Sequence, residues 1–274
     1  MLAESASMRA PLAGFTDSDF TYQGQTRPVF RRGSGPGVVV MHEVPGITPQ
    51  VARFATWVAD AGFSVAMPVL FGTPGKPSSA SYIARQSALA CVRREFAVLA
   101  AHRASPVTEW LRGLCRALHA ECGGPGVGAV GMCITGNFAL ALMMEPALLA
   151  PVLSQPSLPV GLGAGRRAAL HLSPAQLDHV KARCQRGARV LGLRFHGDPL
   201  CPPERFETLR RELGDGFEGI ELDPACANPD GNSKPHSVLT TDLIDAAGEP
   251  TRAAADRVLE FLRAQIDAGA QPPG

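Results

Sequence analysis

The chain has 274 residues, of which 45% are hydrophobic and 19% are charged, and its formal net charge at pH 7 is +1. This length allows a sizeable core, and the near-neutral charge argues against a nucleic-acid partner, which would require many cations. No apolar run reaches the roughly 18 residues of a membrane span, so we expect no membrane insertion. An N-terminus without an apolar signal region and seven scattered cysteines favour a cytoplasmic protein with reduced thiols.

Predicted strands and helices alternate along the chain. Residues 1–18 are expected to form a loose arm, and residues 151–165, which are rich in Pro and Gly, are expected to be irregular. The predicted strands cover residues 20–22, 27–30, 38–41, 63–70, 127–132, 168–172, 190–195 and 219–222. The predicted helices cover residues 49–61, 81–101, 105–122, 133–145, 173–185, 203–213 and 251–267.

This alternation predicts an α/β fold with a mostly parallel central sheet and helices on both faces. No internal repeat or linker divides the sequence, so we expect a single domain over residues 1–274. The long segment 73–125 is expected to form a partial cap.

The segment 127–137 carries the strongest functional motif. It is a small, apolar strand that reaches Gly131, passes through Cys133 and continues into a helical pattern. A reactive side chain between small residues at a sharp strand-to-helix turn is the pattern of a nucleophile elbow. A helix N-terminus also favours the thiolate, which is the nucleophilic form of cysteine. Cys133 is therefore the predicted nucleophile.

Three further reactive side chains follow predicted strands, whose carboxyl ends share one edge of a parallel sheet. His236 is the candidate base, since a histidine can take the thiol proton and pass it to a leaving group. Asp198 is the candidate acid that orients this histidine, with Asp223 as its rival. The chain order Cys133, Asp198, His236 is that of the α/β-hydrolase fold. Glu43 follows the third predicted strand and is expected at the same edge.

The α/β-hydrolase fold stabilises the oxyanion with two backbone N–H groups. One belongs to the residue after the nucleophile, here Ile134. The other comes from an early loop, where Val44 is the candidate because Pro45 has no N–H.

Cys115, His119 and Cys122 lie on one face of a predicted helix, at a spacing that could hold a metal ion. The cysteines also belong to an apolar stripe, and no fourth ligand is evident in the sequence. Core packing is therefore the favoured interpretation, and no metal site is predicted.

Together these motifs resemble the dienelactone hydrolase family. They are residues 42–46 (HEVPG), 131–136 (GMCITG), 196–198 (HGD) and 235–237 (PHS). The resemblance extends from about residue 38 to the C-terminal helix. It implies an α/β-hydrolase fold, a Cys133–His236–Asp198 triad, no metal or organic cofactor, and hydrolysis of lactones or other carboxylic esters. It also implies that Glu43 interacts with the resting Cys133 and accepts its proton when substrate arrives.

Two positions depart from the pattern of this family. Thr135 stands where the family has Gly, and we expect its side chain to line the substrate pocket. Thr240 stands where the family has an arginine that binds a substrate carboxylate. Arg85, Arg93 and Arg94 lie in the segment where a second such arginine would be sought. A dienelactone is therefore disfavoured as the substrate.

The sequence predicts a hydrolase that cleaves a lactone or small carboxylic ester through a thioester acyl-enzyme, without a cofactor. Two alternatives remain open. The same nucleophile could attack phosphotriesters or thioesters. The chain could also be a non-catalytic binding module on a hydrolase scaffold, since a fold does not determine a function.

Overall fold

The computed structural model describes residues 12–92, 106–157 and 167–269, which form an eight-stranded sheet and seven α-helices. The strands are β1 (Thr16–Tyr22), β2 (Gln25–Arg32), β3 (Gly37–Met41), β4 (Ser64–Pro68), β5 (Val127–Met132), β6 (Leu148–Ser154), β7 (Val190–Phe195) and β8 (Phe217–Leu222). The helices are α1 (Pro49–Asp60), α2 (Ala80–Val92), α3 (Pro106–Cys122), α4 (Gly136–Ala141), α5 (Pro174–Gln185), α6 (Pro203–Leu213) and α7 (Pro250–Ala268). None of these helices combines the length and apolarity that a bilayer crossing requires.

The sheet order is β1-β2-β4-β3-β5-β6-β7-β8. The pairs β1–β2 and β2–β4 are antiparallel, and the other pairs are parallel. The carboxyl ends of β3, β5, β6 and β7 therefore meet at one edge, where ligand sites of such sheets form. The predicted mostly parallel sheet is confirmed.

Two apolar cores cover the two faces of the sheet. Along β3, Val38 and Val40 face the core that contains α1 and α7, whereas Val39 and Met41 face the core that contains α3, α4, α5 and α6. This alternation follows from the period of two in a strand, and it explains why a strand buried on both faces is apolar at every position. Helices on both faces are confirmed.

The structure corrects the prediction for residues 151–165. Strand β6 (Leu148–Ser154) occupies the first part of this segment, despite Pro151. The ladder between β6 and β7 begins only at Val152, so Pro151 lies where β6 has one hydrogen-bonded neighbour. A proline is tolerated in a strand at such an edge-like position.

Three other predictions also need correction. The strand predicted at 168–172 is absent, since residues 169–173 have no regular structure. The helix predicted after the elbow is a 3-10 turn (Cys133–Thr135), the six-residue α4, and a second 3-10 turn (Leu142–Met144). Residues 16–18 of the predicted loose arm belong to β1, and residues 1–11 lie outside the described residues.

The predicted cap segment divides between two places. Helix α3 packs on the sheet, with Trp110 and Leu114 almost fully buried in one of the cores. Helix α2 instead lies beside the carboxyl edge, where Ile83, Ser87 and Ala88 line a cavity. Residues 93–105, which include Arg93 and Arg94, lie outside the described residues.

Candidate active site

Cys133 occupies a sharp turn between β5 and a helical segment. Met132 is extended, with φ −123° and ψ 135°, whereas Cys133 has φ +56°, in the left-handed region. A side chain at Gly131 would collide with the carbonyl oxygen of Thr135, so the turn requires glycine there. This is the strand–turn–helix geometry of a nucleophile elbow.

His236 and Asp198 are in direct contact at the same edge of the sheet. The Nδ1 atom of His236 lies 2.7 Å from Oδ2 of Asp198, whose side chain is fully buried. The other carboxylate oxygen of Asp198 accepts a hydrogen bond from Leu200 N at 2.9 Å. Because an ionised carboxylate only accepts hydrogen bonds, Nδ1 carries a proton, and this tautomer leaves Nε2 for proton transfer.

The electrostatic surroundings of His236 couple it to Cys133. Burial lowers the pKa of the imidazole, but the Cys133 thiolate and the Asp198 carboxylate outweigh burial, and the net pKa is raised well above its usual value. The Nε2 atom is buried and has no hydrogen-bond partner that meets ordinary geometric limits among the described residues. The site therefore favours the protonated form of His236 beside Cys133.

Asp242 fixes the loop that carries His236. Its buried carboxylate accepts the backbone N–H groups of His236 and Ser237, each at 2.7 Å. It also accepts the backbone N–H of Asn232 at 2.6 Å and the side-chain amide of the same residue at 2.7 Å. Four donors on one carboxylate hold the loop in a single geometry.

Glu43 lies at this edge as predicted, but its hydrogen bonds go to other groups than Cys133. Its carboxylate accepts from Gln155 Nε2 at 3.0 Å, from Ser237 Oγ at 2.9 Å and from the hydroxyl of Thr240. Burial raises the pKa of Glu43, against the lowering effects of the Thr240 hydroxyl and the His236 charge. The interaction between Glu43 and Cys133 that the resemblance implies is therefore not among the contacts of the described residues.

His42, which precedes Glu43, forms hydrogen bonds that hold two loops together. Its Nε2 atom accepts the backbone N–H of Leu70 at 3.0 Å, so Nδ1 carries the proton and donates to the carbonyl oxygen of Glu43 at 3.0 Å. Burial lowers the pKa of His42 to about 4, so the ring is neutral at pH 7. His42 thus links the loop after β3 to the loop after β4.

The structure corrects the predicted position of Thr135, whose side chain is fully buried and does not line the cavity. Its hydroxyl contacts the carbonyl oxygens of Met41 (3.0 Å), His42 (3.2 Å) and Met132 (2.8 Å). It also accepts the backbone N–H of Met132 at 2.9 Å. A hydroxyl beneath the elbow therefore joins the ends of β3 and β5.

We expect the Thr135→Val variant to lose about 1–3 kcal/mol of unfolding free energy, because buried backbone groups lose their hydrogen-bond partner. Denaturant titration measures this loss. Thr21→Val, which removes an exposed hydroxyl paired with Thr26, is the control and should change stability by less than about 0.5 kcal/mol. An unchanged stability with a raised KM for Thr135→Val would instead indicate a substrate contact.

A cavity of about 470 Å³ opens above Cys133. Its described lining residues are Glu43, Val44, Ile83, Ser87, Ala88, Cys133, Ile134, Ser157, Leu200, Asn232, Ser233, Lys234, His236 and Ser237. Both predicted oxyanion residues, Val44 and Ile134, therefore line the same cavity as the predicted nucleophile. Ile83 and Leu200 are the exposed large apolar side chains of the described chain, 37% and 45% exposed.

No arginine lines the cavity among the residues that the structure describes; Arg85 of α2 is exposed and does not belong to the lining. Thr240 is buried against Glu43 and therefore cannot replace the carboxylate-binding arginine of the family. Lys234, on an exposed loop, contributes a positive charge to the cavity wall.

Asp223, Cys115 and His119, which the sequence offered for other roles, have structural contacts. Asp223, the rival acid, is exposed, and its carboxylate caps a 3-10 turn by accepting from Ala225 N at 2.8 Å. Cys115 is buried in the core, which raises the pKa of its thiol to about 12. His119 Nε2 lies 2.9 Å from the carbonyl oxygen of Gly124.

Sequence reasoning missed three polar residues of the site. Gln155 and Ser157 follow β6, and a correctly predicted β6 would have marked them, because sites form after the carboxyl ends of strands. Asp242 had no comparable signal, since its partners belong to a loop without regular structure.

Comparisons with known proteins agree with the fold. Residues 26–157 match the dienelactone hydrolase family, which confirms the predicted resemblance over this range. A dienelactone hydrolase from Anabaena variabilis ATCC 29413 has a TM-score of 0.58 and 15% sequence identity, over 92% of this chain and 98% of its own. A dienelactone hydrolase-like promiscuous phosphotriesterase from metagenomic libraries has a TM-score of 0.58 and 19% identity, over the same shares. The α/β hydrolase GrgF from Penicillium sp. sh18 has a TM-score of 0.59 and 14% identity, over 92% and 99%. No curated protein sequence matches the chain.

Proposed function

We propose that this chain, a dienelactone hydrolase-like α/β-hydrolase by family match and fold, hydrolyses a lactone or small carboxylic ester with Cys133 as its nucleophile. The observation that carries the proposal is the series Asp198, His236 and Cys133: Asp198 contacts His236, and His236 and Cys133 line the same cavity. Asp198 would orient the base His236, and His236 would take the proton of the nucleophile Cys133, as a Cys–His–Asp triad requires.

In the acylation step the Cys133 thiolate attacks the ester carbonyl carbon, and the carbonyl oxygen becomes an oxyanion. Collapse of this intermediate breaks the bond to the alcohol oxygen, which takes a proton from Nε2 of His236. The products are a thioester at Cys133 and an alcohol, which stays attached to the acyl group when the substrate is a lactone. Asp198 stabilises the imidazolium before this proton transfer.

In the deacylation step His236 removes a proton from water, and the resulting hydroxide attacks the thioester carbonyl. Collapse then expels the Cys133 thiolate and releases the acid. The backbone N–H groups of Val44 and Ile134, two residues that line the same cavity as Cys133, are the proposed donors to the oxyanion in both steps. Glu43, whose pKa the His236 charge lowers against the effect of burial, is proposed to tune the Cys133–His236 pair.

The cavity wall favours a small, mostly apolar substrate. Val44, Ile83, Ile134 and Leu200 supply apolar surface, and a volume of about 470 Å³ is within the usual range for small-molecule pockets. The absence of arginine among the described lining residues favours a neutral ester over a dienelactone carboxylate. A nucleophilic thiol requires reducing conditions, which fits a cytoplasmic location.

Trapping of the acyl-enzyme tests this proposal. The protein is mixed with p-nitrophenyl acetate, quenched in acid after milliseconds to seconds, and digested for mass spectrometry. We expect a burst of nitrophenol close to one per protein and an acetyl group on the Cys133 peptide. Hydrolysis without an acetylated Cys133, or acetylation confined to other residues, would contradict the proposal.

A second candidate activity is phosphotriester hydrolysis, since one structural neighbour is described as a promiscuous phosphotriesterase. The same thiolate would attack phosphorus and expel the most acidic alcohol. Parallel assays with an aryl carboxylic ester and a diethyl aryl phosphate compare the two activities. A larger kcat/KM for the phosphate would favour this alternative, and an inert Cys133 with both would favour a binding module.

A further inference from the structure

The sulfur of Cys133 has a hydrogen-bond partner that the family resemblance does not supply. The Oγ atom of Ser157 lies 3.0 Å from the Sγ atom of Cys133, and the side chain of Ser157 lines the same cavity. Ser157 is only 1% exposed, so its hydroxyl is shielded from competing water.

Hydrogen bonds to the backbone N–H and to the backbone carbonyl of Ser157 fix its position. Its N–H donates to the carbonyl oxygen of Cys133 at 3.0 Å, and its own carbonyl oxygen accepts from Asn137 Nδ2 at 2.8 Å. Arg205, from α6, donates to the carbonyl oxygen of Pro156 at 2.5 Å. These contacts set the hydroxyl against the sulfur before any substrate binds.

In the observed arrangement Glu43 does not replace Ser157 as the hydrogen-bond partner of the Cys133 sulfur. Its two carboxylate oxygens accept from Gln155, Ser237 and Thr240, and Gln155 belongs to the same short segment after β6 as Ser157. Gln155 therefore binds Glu43, and Ser157, two residues later in the chain, contacts Cys133.

The contact between Ser157 and Cys133 has a different strength in the two protonation states of the sulfur. A thiol is a weak donor and a weak acceptor, so it gains little from a neighbouring hydroxyl. A thiolate accepts a charge-assisted hydrogen bond from the same hydroxyl, which is roughly twice as strong as a neutral one. The difference between these states favours the thiolate.

We propose that Ser157 is a catalytic residue that donates its hydroxyl hydrogen to the Cys133 thiolate. This inference rests on the proposed function in one respect, that Cys133 is the nucleophile. The hydrogen bond stabilises the resting thiolate opposite His236. It is weakened when the sulfur becomes an uncharged thioester, and it regains its strength as deacylation breaks the carbon–sulfur bond and returns the electron pair to sulfur.

The pH dependence of Cys133 alkylation tests this proposal without ester turnover. Wild-type protein and the Ser157→Ala variant are treated with iodoacetamide at a series of pH values from about 4 to about 10, a range that includes the usual pKa of a thiol. The rate at the Cys133 peptide is followed by mass spectrometry. We expect the midpoint of the profile to rise by about one pH unit in Ser157→Ala, because a hydrogen bond to a charged group is lost. At pH values below both midpoints, Cys133 of the Ser157→Ala variant should be alkylated about tenfold more slowly than Cys133 of the wild type.

Two further variants keep the proposal open to contradiction. Ser157→Thr retains the hydroxyl and should return the midpoint towards the wild-type value, whereas Ser157→Gly removes it without adding atoms and should match Ser157→Ala. Ser18→Ala, which removes an exposed hydroxyl from the edge strand β1, is the control. Equal midpoints in wild type, Ser157→Ala and Ser157→Gly would overturn the role of Ser157.

The same experiment separates this inference from the proposed function. A shifted midpoint in a protein that hydrolyses no ester would support Ser157 as the partner of the thiolate and contradict the esterase. An unshifted midpoint in an active esterase would contradict the role of Ser157 alone.

Discussion

Replacing Cys133 with alanine is expected to abolish ester hydrolysis, with a fall in kcat of at least about 10⁴-fold, because removal of a triad nucleophile leaves only residual catalysis by the rest of the site. The thioester cannot form without a sulfur at the elbow. His236 could still act as a base towards water, but the water would lack the fixed position of Sγ above the turn at φ +56°. The remaining rate should therefore approach that of the oxyanion donors and the cavity alone.

Initial rates with p-nitrophenyl acetate measure this effect, and a thermal melt confirms that the variant is folded. Cys226→Ala is the matched control, since this thiol lies on a turn after β8 and donates to Asp223 O. We expect wild-type turnover in the control. Wild-type turnover in Cys133→Ala would remove the basis of the proposed mechanism.

The Asp198→Asn variant is expected to lose about 10²–10⁴-fold in kcat, because an amide cannot stabilise the imidazolium or hold its tautomer as a carboxylate does. Asp198 and the Cys133 thiolate together raise the pKa of His236 against burial. Loss of the carboxylate should therefore lower the pKa of His236, so the imidazolium is lost at a lower pH than in the wild type. A pH–rate profile should show its alkaline limit displaced to lower pH.

Asp223→Asn is the control for this variant. Both aspartates follow neighbouring strands, but Asp223 is exposed and caps a turn, whereas the side chain of Asp198 is fully buried against His236. The Asp223→Asn variant should keep its kcat and its pH–rate profile. A larger loss in Asp223→Asn than in Asp198→Asn would reverse the assignment of the acid.

Local patterns were sufficient for much of the fold. Strands β3, β5 and β7 are continuous apolar runs, and burial on both faces is the reason for that composition. The start of α5 was also predictable, since Ser173 and Gln176 form reciprocal hydrogen bonds in a capping box. These signals depend on residues close together in sequence.

The prediction failed where a distant neighbour decides the structure. Pro151 suggested a loop, but it belongs to β6 because the neighbouring strand β7 joins the ladder only at Val152. That error concealed Gln155 and Ser157, which follow the same strand. The hydrogen bonds of Glu43 reach residues 112 and 197 positions away in the chain, and no local pattern encodes such partners.

The motif places Thr135 correctly within the elbow, but the predicted direction of its side chain is wrong. The departure from glycine suggested an altered pocket, whereas the hydroxyl fills the space beneath the turn and bonds to Met41, His42 and Met132. Only the approach of β3 to β5 creates acceptors at that point.

Because of where Ile83 and Leu200 lie, substrate preference can change during evolution without loss of the fold. These side chains come from α2 and from the loop after β7, and both stand exposed at the cavity. Exposed positions tolerate substitution with little change in stability, whereas the elbow and the His236 loop are held by buried hydrogen bonds. A lineage, or a directed-evolution library, can therefore vary these two positions to admit new substrates while the catalytic groups stay in place.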